Sequence, residues 1–311
     1  PQSDFRSLAP FLQSNLALAD GVVRVAGGLR YENVQLSIDD FQTLASYGSV
    51  QVEGGSPSFK DLLWNAGVIV EPVDGLRAYG SYAEGFTIAD VGRILRGITQ
   101  TGVDVDDFLS LEPVVSNNRE LGLEWDRGPL KASASYFWSS SDFGSLLVLR
   151  NDVFEVERQP IEIEGFEASL AWRTPLPGLS FSGGYANLSG RTDSDSDGIV
   201  DEDLDGANIS PDRINLAADY SSGPLSLRTQ ARFYLPREFN DVASATDFEG
   251  YTLLDAFLAY RSDIGEFALA ASNLTDELYV TYDSDTVRVA DNSRFYSGRG
   301  RTFTLSWRGA F

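Results

Sequence analysis

An acidic run between Asp193 and Gly206 has the clearest spacing for chemistry in this sequence. Three aspartates at alternate positions precede a glycine, which is the D-x-D-x-D-G order of a calcium-binding loop. In such a loop the carboxylates supply hard oxygen ligands and the glycine permits a sharp turn. The expected calcium ligands are Asp193, Asp195, Asp197, the main-chain carbonyl of Ile199, and Asp201.

The same loop departs from the calcium pattern at its twelfth position. Leu204 stands where a bidentate glutamate is usual, so Asp203 or Asp205 would have to replace that ligand. No helical pattern flanks the loop, so a helix–loop–helix calcium domain is excluded. The alternative interpretation is an acidic surface loop that stays solvated because its charges repel one another. The sequence requires no cofactor, and calcium in residues 193–205 is its one candidate.

Other charged residues alternate with apolar ones in predicted strands. Six arginines could attract an anionic ligand into a lumen, or they could form ion pairs with acids of a barrel wall. The arginines are Arg24, Arg30, Arg77, Arg228, Arg232 and Arg308, and the acids are Glu120, Glu124, Glu167 and Asp219. Glu162 and Glu164 share one strand face, as a glycosidase pair could, but a polar barrel face explains them better because no cleft is evident.

The composition excludes several kinds of chemistry. The 311 residues contain no Cys, no His and no Met. Ser-His-Asp sites, Cys-His sites, disulfides and thiolate metal sites are therefore excluded, and we do not expect an enzyme. The net charge of −22 argues against nucleic acid as a partner. The missing methionine and the lack of a signal peptide at Pro1 lead us to expect a chain that was processed or cut from a longer one.

The elements that would position these residues are β-strands. Apolar and polar residues alternate over segments of about ten residues, the length of a tilted membrane strand. In the last segment Phe303, Leu305 and Trp307 share one face, and their polar neighbours share the other. The pattern predicts about thirteen strands, near 7–18, 22–37, 59–71, 75–87, 117–126, 129–143, 160–173, 177–190, 212–221, 224–238, 249–261, 265–280 and 300–311.

The connections between these strands alternate in length. Tight turns with Gly, Pro or Asp alternate with long connections near 38–58, 88–116, 144–159, 191–211, 239–248 and 281–299. This parity is typical of a transmembrane antiparallel up-and-down β-barrel with short periplasmic turns and long extracellular loops. Residues 88–96 could form a short helix, which we interpret as a surface feature of its loop. Tryptophans near strand ends are expected at the lipid interface, namely Trp125, Trp138, Trp172 and Trp307.

Five segments resemble the C-terminal part of the barrel of TonB-dependent outer-membrane receptors. Residues 273–279 (NLTDELY) are similar to a signature of the penultimate strand. Residues 295–303 (FYSGRGRTF) are similar to the approach to the last strand, with Gly300 where proline is usual. Residues 79–86 (YGSYAEGF) and 165–167 (GFE) resemble two further strand segments. The terminal Phe311 is similar to the aromatic end that the barrel-assembly machinery reads.

The resemblance implies that residues 1–311 are the C-terminal portion of a receptor barrel: about 13 strands of a 22-strand barrel, without its plug domain and first strands. It implies the outer membrane of a Gram-negative bacterium, with lipid contact. The implied function is energy-coupled uptake of a scarce ligand, first of all a ferric siderophore, with the inner-membrane TonB complex acting through the missing plug. Because open strand edges leave backbone groups unpaired in hydrocarbon, we do not expect this segment alone to form a stable pore.

Two alternatives belong to other classes of protein. A passive outer-membrane porin would share the strand pattern, and its acidic lumen would select cations. Strands leading directly from a signal peptide would favour the porin, whereas a plug domain would favour the receptor. A soluble extracellular β domain that binds carbohydrate through calcium would dissolve as a monomer without detergent. Cobalamin, oligosaccharides and haem are alternatives to the siderophore as ligand.

Overall fold

The structure is a computed structural model that describes residues 2–45, 48–88, 91–96, 98, 101–102, 105–108, 113–150, 153–195, 197–240, 245–286 and 296–309. The strands are β1 (Ser3–Leu8), β2 (Phe11–Leu18), β3 (Val23–Ile38), β4 (Phe41–Gln42), β5 (Gln51–Val52), β6 (Ser58–Val73), β7 (Leu76–Thr87), β8 (Val114–Arg127), β9 (Leu130–Arg150), β10 (Val153–Arg173), β11 (Leu179–Thr192), β12 (Glu202–Asp203), β13 (Arg213–Ser222), β14 (Leu225–Tyr234), β15 (Tyr251–Ser262), β16 (Gly265–Ser272) and β17 (Thr302–Arg308). The helices are α1 (Val91–Arg96), α2 (Val105–Phe108) and α3 (Tyr282–Thr286), with a 3₁₀ turn at Ala19–Gly21. Across the described residues, no helix is long and apolar enough to cross a membrane.

Fifteen strands form one antiparallel sheet. β1 and β2 follow one another along the same edge of β3, with Pro10 between them, and β12 adds two residues beside β11. The sheet therefore has thirteen strand positions, which confirms the predicted number and the up-and-down connectivity. In the described part of the chain the first position (β1 and β2) and the last (β17) are not paired with each other, so the sheet is open.

Two predicted boundaries are wrong. The expected loop near 144–159 is instead a continuation of β9 and β10, which stay paired up to Arg150 and Val153. A register shift between Gln159 and Ile161 accommodates Pro160 within the strand. The strand predicted over 265–280 ends at Ser272, because Asn273 adopts a positive φ of 51° and turns the chain out of the ladder.

The strand register separates the side chains into two faces of one wall. Leu121, Tyr136 and Phe166 lie side by side on an apolar face, which we call the outward face. Glu124, Ser133 and Ser169 form a polar row on the opposite, inward face. On β17, Phe303, Leu305 and Trp307 are 62%, 78% and 50% exposed. The predicted alternation is confirmed, and these three side chains are not part of a dry protein core.

The long connections gather at one end of the wall, here called the loop rim. The opposite end has short turns, and in the described residues six of them contain a glycine with positive φ: Gly21, Gly75, Gly128, Gly178, Gly223 and Gly265. Under the rim, Ile38, Val52, Leu95, Ile98 and Val105 form an apolar cluster. The predicted short helix is present as α1. It is not merely a surface feature of its loop, because its Leu95 is only 1% exposed within that cluster.

Candidate functional site

The inward face carries arginine–carboxylate pairs along the wall. Arg77 lies 3.4 Å from Glu71 and 3.8 Å from Glu124. Further pairs are Arg24 with Glu71 (3.8 Å), Arg30 with Glu32, Arg228 with Asp219 (3.1 Å) and Arg232 with Asp255 (2.7 Å). Five of the six arginines considered above are thus paired within the wall, which favours the ion-pair interpretation. Each exposed pair contributes at most about 1 kcal/mol to stability.

Two aromatic rings of the inward face lie directly over glycines of the neighbouring strand. A Cβ atom on Gly122 would be 2.3 Å from the Tyr79 ring, and one on Gly165 would be 2.6 Å from the Phe137 ring. The Tyr79 hydroxyl donates a 2.6 Å hydrogen bond to Glu120. The glycines therefore make room for rings that cover the backbone.

An aromatic cluster lies at the loop rim, where it joins the ends of β14 and β15 to residues 273–282. Its members are Tyr234, Phe248, Tyr251, Tyr279 and Tyr282. The ring centroid of Tyr251 is 4.5 Å from that of Tyr234 and 4.4 Å from that of Tyr279. Phe248 meets Tyr251 and Tyr282 edge-on, at 5.7 and 4.9 Å. Three of these four separations lie at the short end of the range for favourable aromatic pairs, and the Phe248–Tyr251 separation lies in its middle.

Tyr282 is one of the two buried rings of this cluster, the other being Phe248 at 3% exposed. Tyr282 is 8% exposed, and its hydroxyl has no hydrogen-bond partner among the described residues. Burial is the largest cause that raises the pKa of Tyr282 to about 12; the Arg237 guanidinium opposes the shift, and Asp205 and Asp212 add to it. The phenol is therefore neutral at physiological pH, next to an Arg237–Asp212 ion pair of 3.2 Å.

Residues 273–279 and 296–303 are joined by hydrogen bonds and an ion pair beside the aromatic cluster. The Asn273 side chain donates to the carbonyl of Glu277 at 2.9 Å and accepts from its amide at 2.8 Å. The main-chain amide of Arg301 donates to Asp276 at 2.8 Å, and the two side chains form a 3.6 Å ion pair. The sequence signatures thus have a structural role, since they fix the irregular end of the penultimate strand against the last one.

The acidic loop brings together three of the five predicted calcium ligands. Asp193, Asp195 and Asp197 each place a carboxylate oxygen within 4.8 Å of the others, an arrangement that could hold a metal ion. The amides of Asp197 and Gly198 donate to Asp193 at 3.1 and 3.0 Å. The amide of Asp197 also donates to Asp195 and lowers its pKa, but desolvation and the charges of Asp197, Glu202 and Asp193 raise the pKa of Asp195 overall.

The other two predicted ligands lie outside this group of carboxylates. Asp201 is exposed, and Ile199 is 57% exposed. Asp203 and Asp205 accept hydrogen bonds from amides elsewhere in the loops, so neither is oriented as a substitute for the missing glutamate. Glu202, which the sequence did not single out, accepts a hydrogen bond from the Ser194 amide. The other feature that sequence reasoning missed is the aromatic cluster, whose only signal was the Tyr279 of the quoted signature.

The sequence profile described as "TonB dependent receptor-like, beta-barrel" matches residues 1–274. The chain belongs to this family. It is 25% identical to the ferric aerobactin receptor of Klebsiella pneumoniae, over 99% of this chain and 44% of that protein. It is also 25% identical to the ferric-pyoverdine M114 receptor PbuA of Pseudomonas sp. strain M114, over 96% of this chain and 35% of that protein. The solved structure of the copper transporter OprC matches with a TM-score of 0.80 at 15% identity, over 97% of this chain and 47% of that one.

The TonB-dependent receptor family determines the location and class of this protein. Its barrels are outer-membrane proteins of Gram-negative bacteria, which confirms the predicted localisation and sets aside the soluble β domain. The family comprises receptors and transporters, and it indicates no cofactor. The chain spans less than half the length of the curated relatives it matches. The prediction for the terminal Phe311 concerns a residue outside the described part of the structure.

Proposed function

We propose that this chain is part of an energy-coupled outer-membrane receptor whose cargo is a ferric siderophore. The observation that carries the proposal is the antiparallel wall itself, with an apolar outward face, an ion-paired inward face and elaborate loops at one end only. The relatives named as receptors for ferric aerobactin and ferric pyoverdine support an iron chelate as cargo. The likeness to the copper transporter OprC, at 15% identity, supports the fold alone.

We propose that residues 1–311 form the C-terminal portion of a 22-strand barrel, with the plug domain and the first strands in the rest of the protein. The open sheet supports this division, because each unpaired backbone group in hydrocarbon costs several kcal/mol. Further strands must therefore pair with the free edges of β1, β2 and β17 before the wall can persist in a membrane. The barrel-assembly machinery is the partner we propose for the terminal Phe311.

In this proposal the cargo binds at the loop rim and no covalent chemistry takes place in the wall. The rim supplies the partly exposed rings of Tyr234, Tyr251 and Tyr279, with the Arg237–Asp212 pair beside the cluster. On the inward face most arginines are already paired with carboxylates, so the wall offers the cargo little opportunity to bind tightly during passage. The inner-membrane TonB complex, acting on the plug, supplies the energy that moves the cargo.

Uptake by the full-length receptor tests this function. We expect an iron-starved Gram-negative host without its own siderophore receptors to take up at least one ⁵⁵Fe-labelled siderophore, drawn from hydroxamate, catecholate and citrate types, when it expresses the receptor. Uptake should saturate and should cease when the host lacks the TonB complex. Uptake that is unsaturable, unselective and independent of that complex would contradict the proposal and indicate a porin.

We also propose that the 193–205 loop binds calcium through Asp193, Asp195 and Asp197, with the Ile199 carbonyl and Asp201 completing the site when the loop closes. The convergence of three carboxylates supports it. We expect calcium to increase hydrogen-exchange protection of amides 193–203 in the full-length receptor, and D195N to remove that effect. D263N, a substitution in a short turn at the opposite end of the wall, is the matched control. Unchanged protection on calcium titration would identify the segment as a solvated acidic loop.

A further inference from the structure

A charged cavity lies on the outward face, immediately below the loop rim. It has a volume of about 410 Å³ and is formed by the strands β8 to β11. The lining residues that matter for binding are Arg119, Tyr136, Trp138, Glu162, Glu164 and Arg191. Neither the ion pairs of the inward face nor the aromatic cluster contributes a residue to it.

The register places this cavity on the lipid side of the wall. Arg119 is the direct neighbour of Trp138, and Trp138 is the neighbour of Glu164. In the next row toward the rim, Glu162 is the neighbour of Arg191. Because side chains alternate along a strand, all of these residues share the face that carries the exposed leucines of β8 and β10.

The height of the cavity corresponds to the headgroup layer. Trp172 of β10 pairs with Leu130 of β9 at the turn end of the outward face. Trp138 lies eight residues after Leu130 along β9. Eight residues span about 27 Å along a strand, or roughly 20 Å along the membrane normal at a tilt of about 40°. The side chains between them form the apolar band, so the two tryptophans mark its borders as aromatic belts do. The charged groups beyond Trp138 therefore meet the outer-leaflet headgroups.

The two arginines of the cavity differ from those of the inward face. The Arg119 guanidinium lies 5.8 Å from the ring centroid of Tyr82 and 5.9 Å from that of Trp138, which are cation–π distances. Considering the described residues only, no carboxylate lies within 4.0 Å of the Arg119 or Arg191 guanidinium. Arg119, held against these two rings, and the exposed Arg191 keep their forked donors for an external oxyanion, and phosphate matches that geometry.

The remaining groups of the cavity suit a sugar. The Tyr136 hydroxyl donates a hydrogen bond to Glu164, which orients that carboxylate at the cavity mouth. Glu162 is exposed beside it, and exposed carboxylates accept hydrogen bonds from hydroxyl groups. Trp138 presents an apolar surface against which a sugar ring can pack. Two arginines and two glutamates leave the cavity without net charge, so a simple polyanion fits less well than a sugar that carries phosphate.

We propose that this cavity binds the headgroup of a phosphorylated glycolipid of the outer leaflet. Arg119 and Arg191 contact the phosphate, Glu162 and Glu164 accept hydrogen bonds from sugar hydroxyls, and Trp138 packs against the ring. The site anchors the receptor at a fixed height and orientation in its membrane. It does not depend on which cargo the receptor carries.

The test uses the full-length receptor in phosphatidylethanolamine nanodiscs, titrated with bisphosphorylated lipid A. We expect the double variant R119Q/R191Q to bind lipid A roughly tenfold more weakly than the wild type. The matched control is R213Q, which removes one exposed arginine from the inward face and should leave lipid A binding unchanged. Dephosphorylated lipid A should bind the wild type as weakly as lipid A binds the double variant.

Two further measurements separate the possible outcomes. W138L keeps both arginines and should weaken binding by a smaller factor, which identifies the contribution of ring packing if the double variant fails to fold. Cargo uptake by R119Q/R191Q should be retained, so loss of lipid binding is distinguishable from loss of the receptor function.

Equal lipid A affinity for wild type and double variant would overturn the proposal. Displacement of lipid A by millimolar inorganic phosphate would also overturn it, because the cavity would then be a free-anion site.

Discussion

The outward and inward faces of the wall belong to the same strands but are stabilised by different surroundings. Leu121, Leu123 and Leu170 on the outward face are about half exposed in the isolated chain, so lipid must supply their apolar environment. The inward face uses ion pairs, hydrogen bonds and rings placed over glycines. The outward face should therefore tolerate a change of shape but not of charge. The inward face should tolerate charge but not extra volume over its glycines.

A charge in the apolar band gives the largest expected effect. We expect A168R to destabilise the full-length receptor in lipid vesicles by about 2–4 kcal/mol. Ala168 lies midway between the rows of Trp172 and Trp138 on the outward face, so the new guanidinium would lie near the membrane midplane. The matched control S169R places the same side chain on the inward face and should cost much less. Denaturant unfolding in vesicles measures both. Equal costs for the two variants would break the distinction between the faces.

Volume over an inward glycine gives the next effect. G122A should cost about 1–3 kcal/mol, because its Cβ would lie 2.3 Å from the Tyr79 ring and force that ring to move. G67A is the control on the same face, where the nearest atom to the new Cβ is 3.5 Å away. We expect G67A to be neutral within about 0.5 kcal/mol. If G122A is as harmless as G67A, the Tyr79 ring is not fixed over its glycine.

Removing one cross-strand ion pair should have a smaller effect. Arg228 and Asp219 are both substantially exposed at 3.1 Å, so a double-mutant cycle with R228Q and D219N should give a coupling of about 0.2–1 kcal/mol. The coupling should decrease when the salt concentration rises from 0.1 to 1 M. A coupling above this range, insensitive to salt, would show that the inward face is drier than its exposure indicates.

The smallest effect concerns a carboxylate of the rim rather than of the wall. Burial, followed by the charge of Glu249, raises the pKa of Asp285 in α3. Because the folded state then binds the proton more tightly than the unfolded state, α3 should gain stability as the pH falls through the raised folded pKa toward the lower unfolded pKa. It should lose that stability as the pH rises back through the folded pKa. Hydrogen-exchange protection of amides 282–286 measures this. D285N should remove the pH dependence, and an unchanged profile would show that another group is responsible.

The sequence predicted the wall better than the rim, and the reason is physical. Lipid on one side and water on the other require apolar and polar residues to alternate along every spanning strand. The thirteen strand positions and their two faces can therefore be predicted from short stretches of sequence. Beyond the membrane that constraint ends. The extension of β9 and β10 past the lipid was therefore missed, although a register shift accommodates Pro160 within β10.

The rim depends on contacts between segments that are distant in sequence. Leu95 is buried against residues from three other parts of the chain, and nothing near α1 in the sequence indicates them. The aromatic cluster joins Tyr234 and Tyr251 to Tyr279 in the same way. Within the acidic loop the local spacing did predict that three aspartates converge. The position of Glu202 depends instead on how the loop folds back toward Ser194.

The rings of Tyr79 and Phe137 rest on Gly122 and Gly165, so they lie close to the backbone of the neighbouring strand on the inward face. In any channel the free cross-section is smallest at the level where side chains project furthest from the wall. A side chain in place of either glycine would lift a ring away from the strands and narrow the free cross-section at that level. The absence of a single methyl group at each of these two positions therefore keeps both rings low on the inward face.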